Sequence, residues 1–260
     1  MTDHLLLERH RRIRTALAER GRVVASELAE EFGVSGDTIR RDLRDLAAGG
    51  YCERVYGGAL IPETGPAPLT ERSALARERK MALARTTAAL IPARSTVFVD
   101  AGSTNLAVAH ALARDADLTV VTNAPAIAAA LAERTDLALI VIGGRVDPQI
   151  GGAVGATAIA DLNRLRPDWL VLGACGVDHT AGVTAQRYED AAFKRYAVER
   201  AGAVIVAATN EKLQDASAFS VARIGDLAHL VIEHDASAAS LANCGCDIVR
   251  AGDPARKAGR

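Results

Sequence analysis

Hydrophobic positions follow two rhythms along this chain, and the rhythm changes near residue 60. Over 5–18, Leu6, Ile13 and Leu17 fall on one side of a helical period and predict a helix that Gly21 ends. Leu28 and Phe32, four apart, predict a short helix over 27–32, with Ser26 as its cap and Gly33 as its stop. Only Val34 intervenes before Ser35, a second cap, opens a third helix over 36–48. At about 100° per residue, Ile39, Leu43 and Leu46 of that helix cluster within roughly 60° of one another and must face a core. Two helices separated by so tight a turn form a helix-turn-helix arrangement. After Gly49-Gly50, the stretch 51–59 alternates and turns on two glycines, the pattern of a small β wing.

Beyond residue 60 the pattern is different. Pro62, Pro66 and Pro68 fall within seven positions, which neither helix nor sheet tolerates, so 60–74 reads as a linker. Short apolar runs follow at 96–100, 118–122, 137–142, 169–173, 203–207 and 227–232, with Ala-rich helical patterns at 104–114, 124–134, 155–166 and 188–201 between them. Such alternation predicts a mostly parallel sheet buried on both faces. The expected organisation is a winged helix-turn-helix over 1–59, a linker over 60–74, a larger α/β domain over 75–250 and a flexible tail over 251–260.

Composition narrows the function classes. Hydrophobic residues make up 49% and charged residues 24% of 260, which supports a substantial core. A net charge of -1 excludes a bulk polycation, and 3% aromatics argues against a stacking platform for single strands. No apolar run reaches the length of a membrane helix, and the first 14 residues are charged rather than secretory. Cys52, Cys175, Cys244 and Cys246 are too scattered for a disulfide scaffold, so a cytoplasmic protein is expected, with no cofactor, metal or membrane partner.

Chemistry concentrates on the third helix. Arg40, Arg41, Arg44 and Asp37 fall on the arc opposite the apolar cluster, and a guanidinium fork suits phosphate oxygens or guanine O6 and N7. Ser35, Asp37 and Thr38, at the helix start, would lie nearest the base edges, while Arg54 and Tyr56 of the wing are candidate phosphate or minor-groove contacts. The plainer reading is a solvated face whose arginines pair with Asp42 and Asp45 at helical spacing; residues 1–60 hold ten arginines against ten acids.

In the larger domain, Asp100-Ala-Gly-Ser-Thr104 follows a buried strand and opens a helix. Free N–H groups and the positive helix end favour an anion there; Gly102 allows close approach, Ser103 and Thr104 add hydroxyls, and Asp100 suits a sugar hydroxyl. A tight βα turn with a cap explains the same residues. Thr122-Asn123, Gly143-Gly144 and Gly173 to Asp178 also end strands, where ligands bind in open α/β sheets. Lys194, on the helix after 188, is a candidate point charge for a phosphate.

Val34-Ser-Gly-Asp-Thr-Ile-Arg-Arg-Asp-Leu43, followed by Arg54-Val-Tyr-Gly-Gly-Ala59, resembles the N-terminal signature of the DeoR family of bacterial transcriptional regulators. The resemblance continues through Asp100 to Thr104, Val121 to Asn123, Gly143-Gly144, Gly173, Gly176 to Asp178 and Glu189 to Lys194. It implies a winged helix-turn-helix that binds double-stranded operator DNA. It also implies an effector domain similar in fold to ribose-5-phosphate isomerase that senses a phosphorylated sugar. Two positions depart from the family pattern: Asn105 replaces a second Thr, and Thr209-Asn-Glu-Lys212 replaces Asp-x-Ser-Lys while keeping Lys212.

The leading expectation is a repressor of a carbohydrate operon, acting as a homo-oligomer, dimer or tetramer. The alternatives are a sugar-phosphate isomerase using Asp178, Glu189 and Lys194, and a phosphosugar-binding protein with a helical domain for protein contacts. Arg72, Arg77, Arg79, Lys80 and Arg85 read as a solvated linker helix or a further contact with DNA or a partner subunit. Trp169 reads as core, His229 and His234 as structural or surface residues, and Cys244-Gly-Cys246 as carrying no metal.

Overall fold

The computed structural model describes residues 2–49, 51–60, 69–237, 241 and 244–252. The chain divides into two compact units, Met1–Leu75 and Ala76–Arg260. The prolines at 62–68 and the tail from 253 onward lie outside the described residues.

The first unit begins with α1 (Thr2–Arg20), β1 (Arg22–Val24), α2 (Ala25–Phe32) and α3 (Gly36–Ala48). It continues with β2 (Glu53–Val55), β3 (Gly58–Leu60) and α4 (Leu69–Ala74). Ile13, Leu17, Leu28, Ile39, Leu43, Leu46 and Ala59 form its core. Gly33 ends α2 in the left-handed conformation at φ 64, and the Ser35 hydroxyl caps α3 by accepting the Thr38 N–H at 3.1 Å. Ser26 does not cap α2, because the helix starts earlier. β1 pairs with β3 in a three-stranded sheet, and the Ala25 N–H donates to the Gly57 carbonyl at 2.8 Å. A backbone oxygen from the wing thus takes the place of a cap. Asp42 is also not a surface partner of the α3 arginines. It is 1% exposed and accepts from Arg9 of α1 at 2.5 and 2.9 Å, with His10 at 3.3 Å, fixing α3 against α1.

The second unit opens with α5 (Arg77–Ala89), β4 (Thr96–Val99), α6 (Ser103–Ala111), β5 (Leu118–Thr122), α7 (Pro125–Leu131) and β6 (Leu137–Val141). A small hairpin, β7 (Val146–Asp147) and β8 (Gly152–Ala153), precedes α8 (Ala156–Leu162) and β9 (Trp169–Leu172). The chain then forms β10 (Gly176–Asp178), β11 (Gly182–Ala185), α9 (Tyr188–Arg200), β12 (Ala203–Ala208), β13 (Phe219–Ala222), β14 (His229–Ile232) and β15 (Asp247–Arg250). Seven strands form one sheet in the order β15-β14-β12-β9-β4-β5-β6, every pair parallel. β10, β11 and β13 form a separate antiparallel sheet.

All six apolar runs supply strands of the large sheet. The seventh, β15, is hidden in sequence because Asp247 and Arg250 bracket only Ile248 and Val249. The chain winds outward from β4 through β5 to β6, then returns to β9 on the other side. The switch point between β4 and β9 opens a crevice beyond their carboxyl ends.

Two expectations change in this unit. Arg79 and Lys80 are not on a solvated linker: Arg79 pairs with Glu211 at 2.5 Å and Glu233 at 3.2 Å, and Lys80 is 8% exposed. Trp169 is half-buried rather than core, stacked on His229 with ring centroids 6.0 Å apart.

Candidate DNA-reading surface and effector crevice

On α3 the apolar side is fully committed: Ile39 is 0% exposed, and Leu43 and Leu46 are 2% exposed. That commitment turns Asp37, Arg40, Arg41 and Arg44 to solvent. Arg40 pairs with Asp37 at 2.5 Å, and the Ser35 and Thr38 hydroxyls meet at 2.8 Å at the helix start. Arg54 is exposed on β2, and Tyr56, in the turn between β2 and β3, is entirely outside the packing.

In the second unit, Asp100 follows β4 and is 1% exposed. Its Oδ2 accepts from the Gly173 N–H at 2.9 Å, which ties the end of β4 to the end of β9. The same oxygen accepts from Lys194 at 2.8 Å, and Lys194 also pairs with Asp190 at 2.8 Å, one helical turn earlier on α9. Burial pushes the Lys194 ammonium down, but the two carboxylates outweigh it and hold its pKa above the ordinary lysine value. Lys194 is therefore not a free charge awaiting a phosphate, because one lysine already answers two acids.

Around this point three buried polar atoms have no hydrogen-bond partner among the described residues: Asp100 Oδ1, Thr104 Oγ1 and Asn123 Oδ1. Their residues are 1%, 3% and 1% exposed. Each such atom costs about 1–3 kcal/mol if nothing meets it, so the set is a place where polar groups of a bound molecule would be satisfied. Gly102, at φ 154, leads into α6, whose first turn leaves backbone N–H groups for an anion. The Lys80 ammonium of α5 reaches the same helix start and donates to Ser103 Oγ at 3.0 Å. Lys80 thereby joins the candidate site, where sequence reasoning saw it only as one base among five.

The remaining candidates separate. Thr122 Oγ1 donates to the Val99 carbonyl and accepts from the Ala124 N–H, a structural duty at the end of β5. Asn123 holds the hairpin, its Nδ2 donating to the Ala153 carbonyl at 3.0 Å. A Cβ on Gly152 would stand 2.7 Å from Ala101 Cβ and 3.0 Å from Asn123 Nδ2, so β8 lies directly against the crevice floor. Gly143 and Gly144 are both exposed; a Cβ on Gly143 would meet open space, and one on Gly144 would come nearest to Ala153, Thr157 and Ala158 rather than to Asp100 or Ser103. Asp178 turns into its own hairpin, accepting the Thr180 and Ala181 N–H groups at 2.8 and 2.9 Å. Asn105 donates to the Asp100 and Val171 carbonyls, bracing the loop. Lys212 donates to the Ala174 carbonyl at 2.6 Å. Among the described residues no cluster of His, Cys, Asp or Glu could hold a metal, and no helix is long and apolar enough to cross a membrane.

A winged helix-turn-helix with an outward arginine arc, joined in one chain to a parallel α/β unit with a polar crevice at its switch point, defines a two-unit regulator architecture. Residues 9–65 match the DeoR-like helix-turn-helix domain, and residues 75–234 match the DeoR C terminal sensor domain. The chain belongs to the DeoR family. It is 34% identical over 206 residues to the glycerol-3-phosphate regulon repressor of Escherichia coli K12, covering 79% of this chain and 82% of that one. It is 29% identical over 239 residues to a putative aga operon transcriptional repressor of Escherichia coli O157:H7, covering 90% and 88%. Among solved structures, ribose 5 phosphate isomerase A from Neisseria gonorrhoeae overlays 52% of each chain at 14% identity with a TM-score of 0.38.

Proposed function

We propose that this protein is a sequence-specific DNA-binding repressor of a carbohydrate catabolism operon, released by a phosphorylated sugar. The carrying observation is the division of α3 into a buried apolar side and an exposed side bearing Arg40, Arg41 and Arg44. The arginines supply salt-dependent attraction to phosphates, and the start of α3 supplies base selection in the major groove. The related repressors of the glycerol-3-phosphate regulon and the aga operon support the same reading.

The crevice supports a polarised effector. Asp100 Oδ1 and Asn123 Oδ1 accept from sugar hydroxyls, while Ser103, Thr104, the start of α6 and Lys80 receive the phosphate. Release from DNA then requires that the effector bind the DNA-competent and DNA-incompetent states unequally, and the coupling works in both directions. The isomerase alternative needs a group that takes up a proton. Lys194 is held charged between two acids, Asp178 caps its own turn, and Glu189 is exposed beside Arg145.

The test uses a duplex selected from a randomised pool by the full chain. Arg41→Ala is expected to lose the band shift at moderate salt, while phosphorylated sugars still raise its melting temperature as they do for the parent. A variant that shifts the duplex as well as the parent contradicts the α3 assignment. Turnover of a pentose or hexose phosphate by the parent contradicts the regulator reading.

A further inference from the structure

We propose that β6, one edge of the seven-stranded sheet, is the seam through which a second copy of this chain docks, edge to edge about a two-fold axis. The sheet ends in β15 on one side and β6 on the other, and the two edges differ in kind. β15 carries Asp247 and Arg250 at its ends, the charges with which natural sheets guard an edge. β6 reads Leu-Ala-Leu-Ile-Val, with no charge, proline or glycine. It pairs with β5 along all five residues, and among the described residues no strand pairs with its outer side.

Ile140 is 41% and Val141 52% exposed. Neighbours in a strand point to opposite faces, so neither face of β6 is fully covered. Val146, just beyond, is 42% exposed, and among the described residues of the second unit only Tyr188 joins these three as an exposed large hydrophobic. An unguarded apolar edge is a template for another strand.

Charge selects the occupant. The turn before β6 carries exposed Glu133, and the turn after it carries Arg145, 82% exposed and only loosely paired with Glu189 at 3.6 Å. Both lie six residues from Leu139, the midpoint of the strand. An antiparallel copy centred there sets Leu137 opposite Val141 and brings the acid flank of each chain beside the basic flank of the other, at both ends. That self-complementarity is the mark of an isologous contact, and an unrelated extended segment has no reason to share it.

The mass of the full chain in solution, measured by sedimentation, tests the seam independently of the DNA reading, since Arg41→Ala is expected to keep the parent mass. The parent is expected as a dimer or a multiple of one. Ile140→Lys with Val141→Lys, which sets charges opposite Ala138 and Leu137 of the other copy and crowds four lysines along one seam, is expected to halve it. Glu133→Arg is expected to weaken the assembly and Glu133→Arg with Arg145→Glu to restore it, which a merely structural role would not do. A parent that sediments as a monomer overturns the proposal. So does a double-lysine variant that keeps the parent mass, or a charge swap that rescues nothing.

Discussion

A single carboxylate can be strongly committed without being deep in a core. Asp136 accepts from Arg134 Nε at 2.9 Å and again from its Nη2, and from the Asp115 N–H at 3.0 Å. The Arg134 bonds first, then the backbone bond, hold its pKa well below the usual carboxylate range. A group depressed on folding contributes stability that is in place above its unfolded pKa near 4 and is lost as the pH falls through the folded value. Asp136→Asn is therefore expected to lower the melting temperature at about pH 7, with the gap to the parent closing as the buffer is taken below about pH 3. An equal gap at both pH values would show that the ionised form contributes nothing. Lys194 teaches a related lesson. Its sequence neighbour Asp190 is an ordinary helical partner, but Asp100, just after β4 and 94 residues away, brings a second carboxylate to the same ammonium.

At the scale of elements, caps and strands compete for the same residues. Ser35 caps α3 as its position suggests, while Ser26 is overridden because β1 pairs with β3 and delivers Gly57 to the start of α2. The three-stranded wing depends on Gly58. A Cβ there would stand 2.1 Å from the Val23 carbonyl oxygen, a backbone atom that cannot retreat without breaking the β1–β3 register. Gly58→Ala is expected to destabilise the first unit by about 2 kcal/mol or more and to abolish duplex binding, while the sensor unit keeps its own melting transition. Calorimetry of the full chain checks this; a variant with both transitions unchanged would show that the wing yields at little cost.

At the scale of the whole molecule, the two cores share no buried residue among those described. The first is built from Ile13 to Ala59 and the second from Leu83 to Ala251. A chain beginning at residue 76 is accordingly expected to fold, to bind no duplex, and to be stabilised by about 2.7 kcal/mol when a sugar phosphate is supplied at 100 times its dissociation constant. Failure of that fragment to melt cooperatively would mean that the second core needs the first unit to form.

The local order of this protein is written in local sequence. Helix period, the cap at Ser35, the glycine stop at Gly33 and the apolar strand runs act over a few residues, so they could be read directly, as could the arginine arc on α3. The crevice was legible only in outline, because a strand end followed by Gly-Ser-Thr is a local pattern but its occupants are not. Lys80 comes to Ser103, Lys194 to Asp100, and Gly152 to Ala101 and Asn123 from other elements, and Thr122 and Asp178 are drawn off into backbone bonds of their own. Long-range packing decided those assignments, since the energy of a buried charge or orphan oxygen depends on neighbours that sequence distance does not reveal.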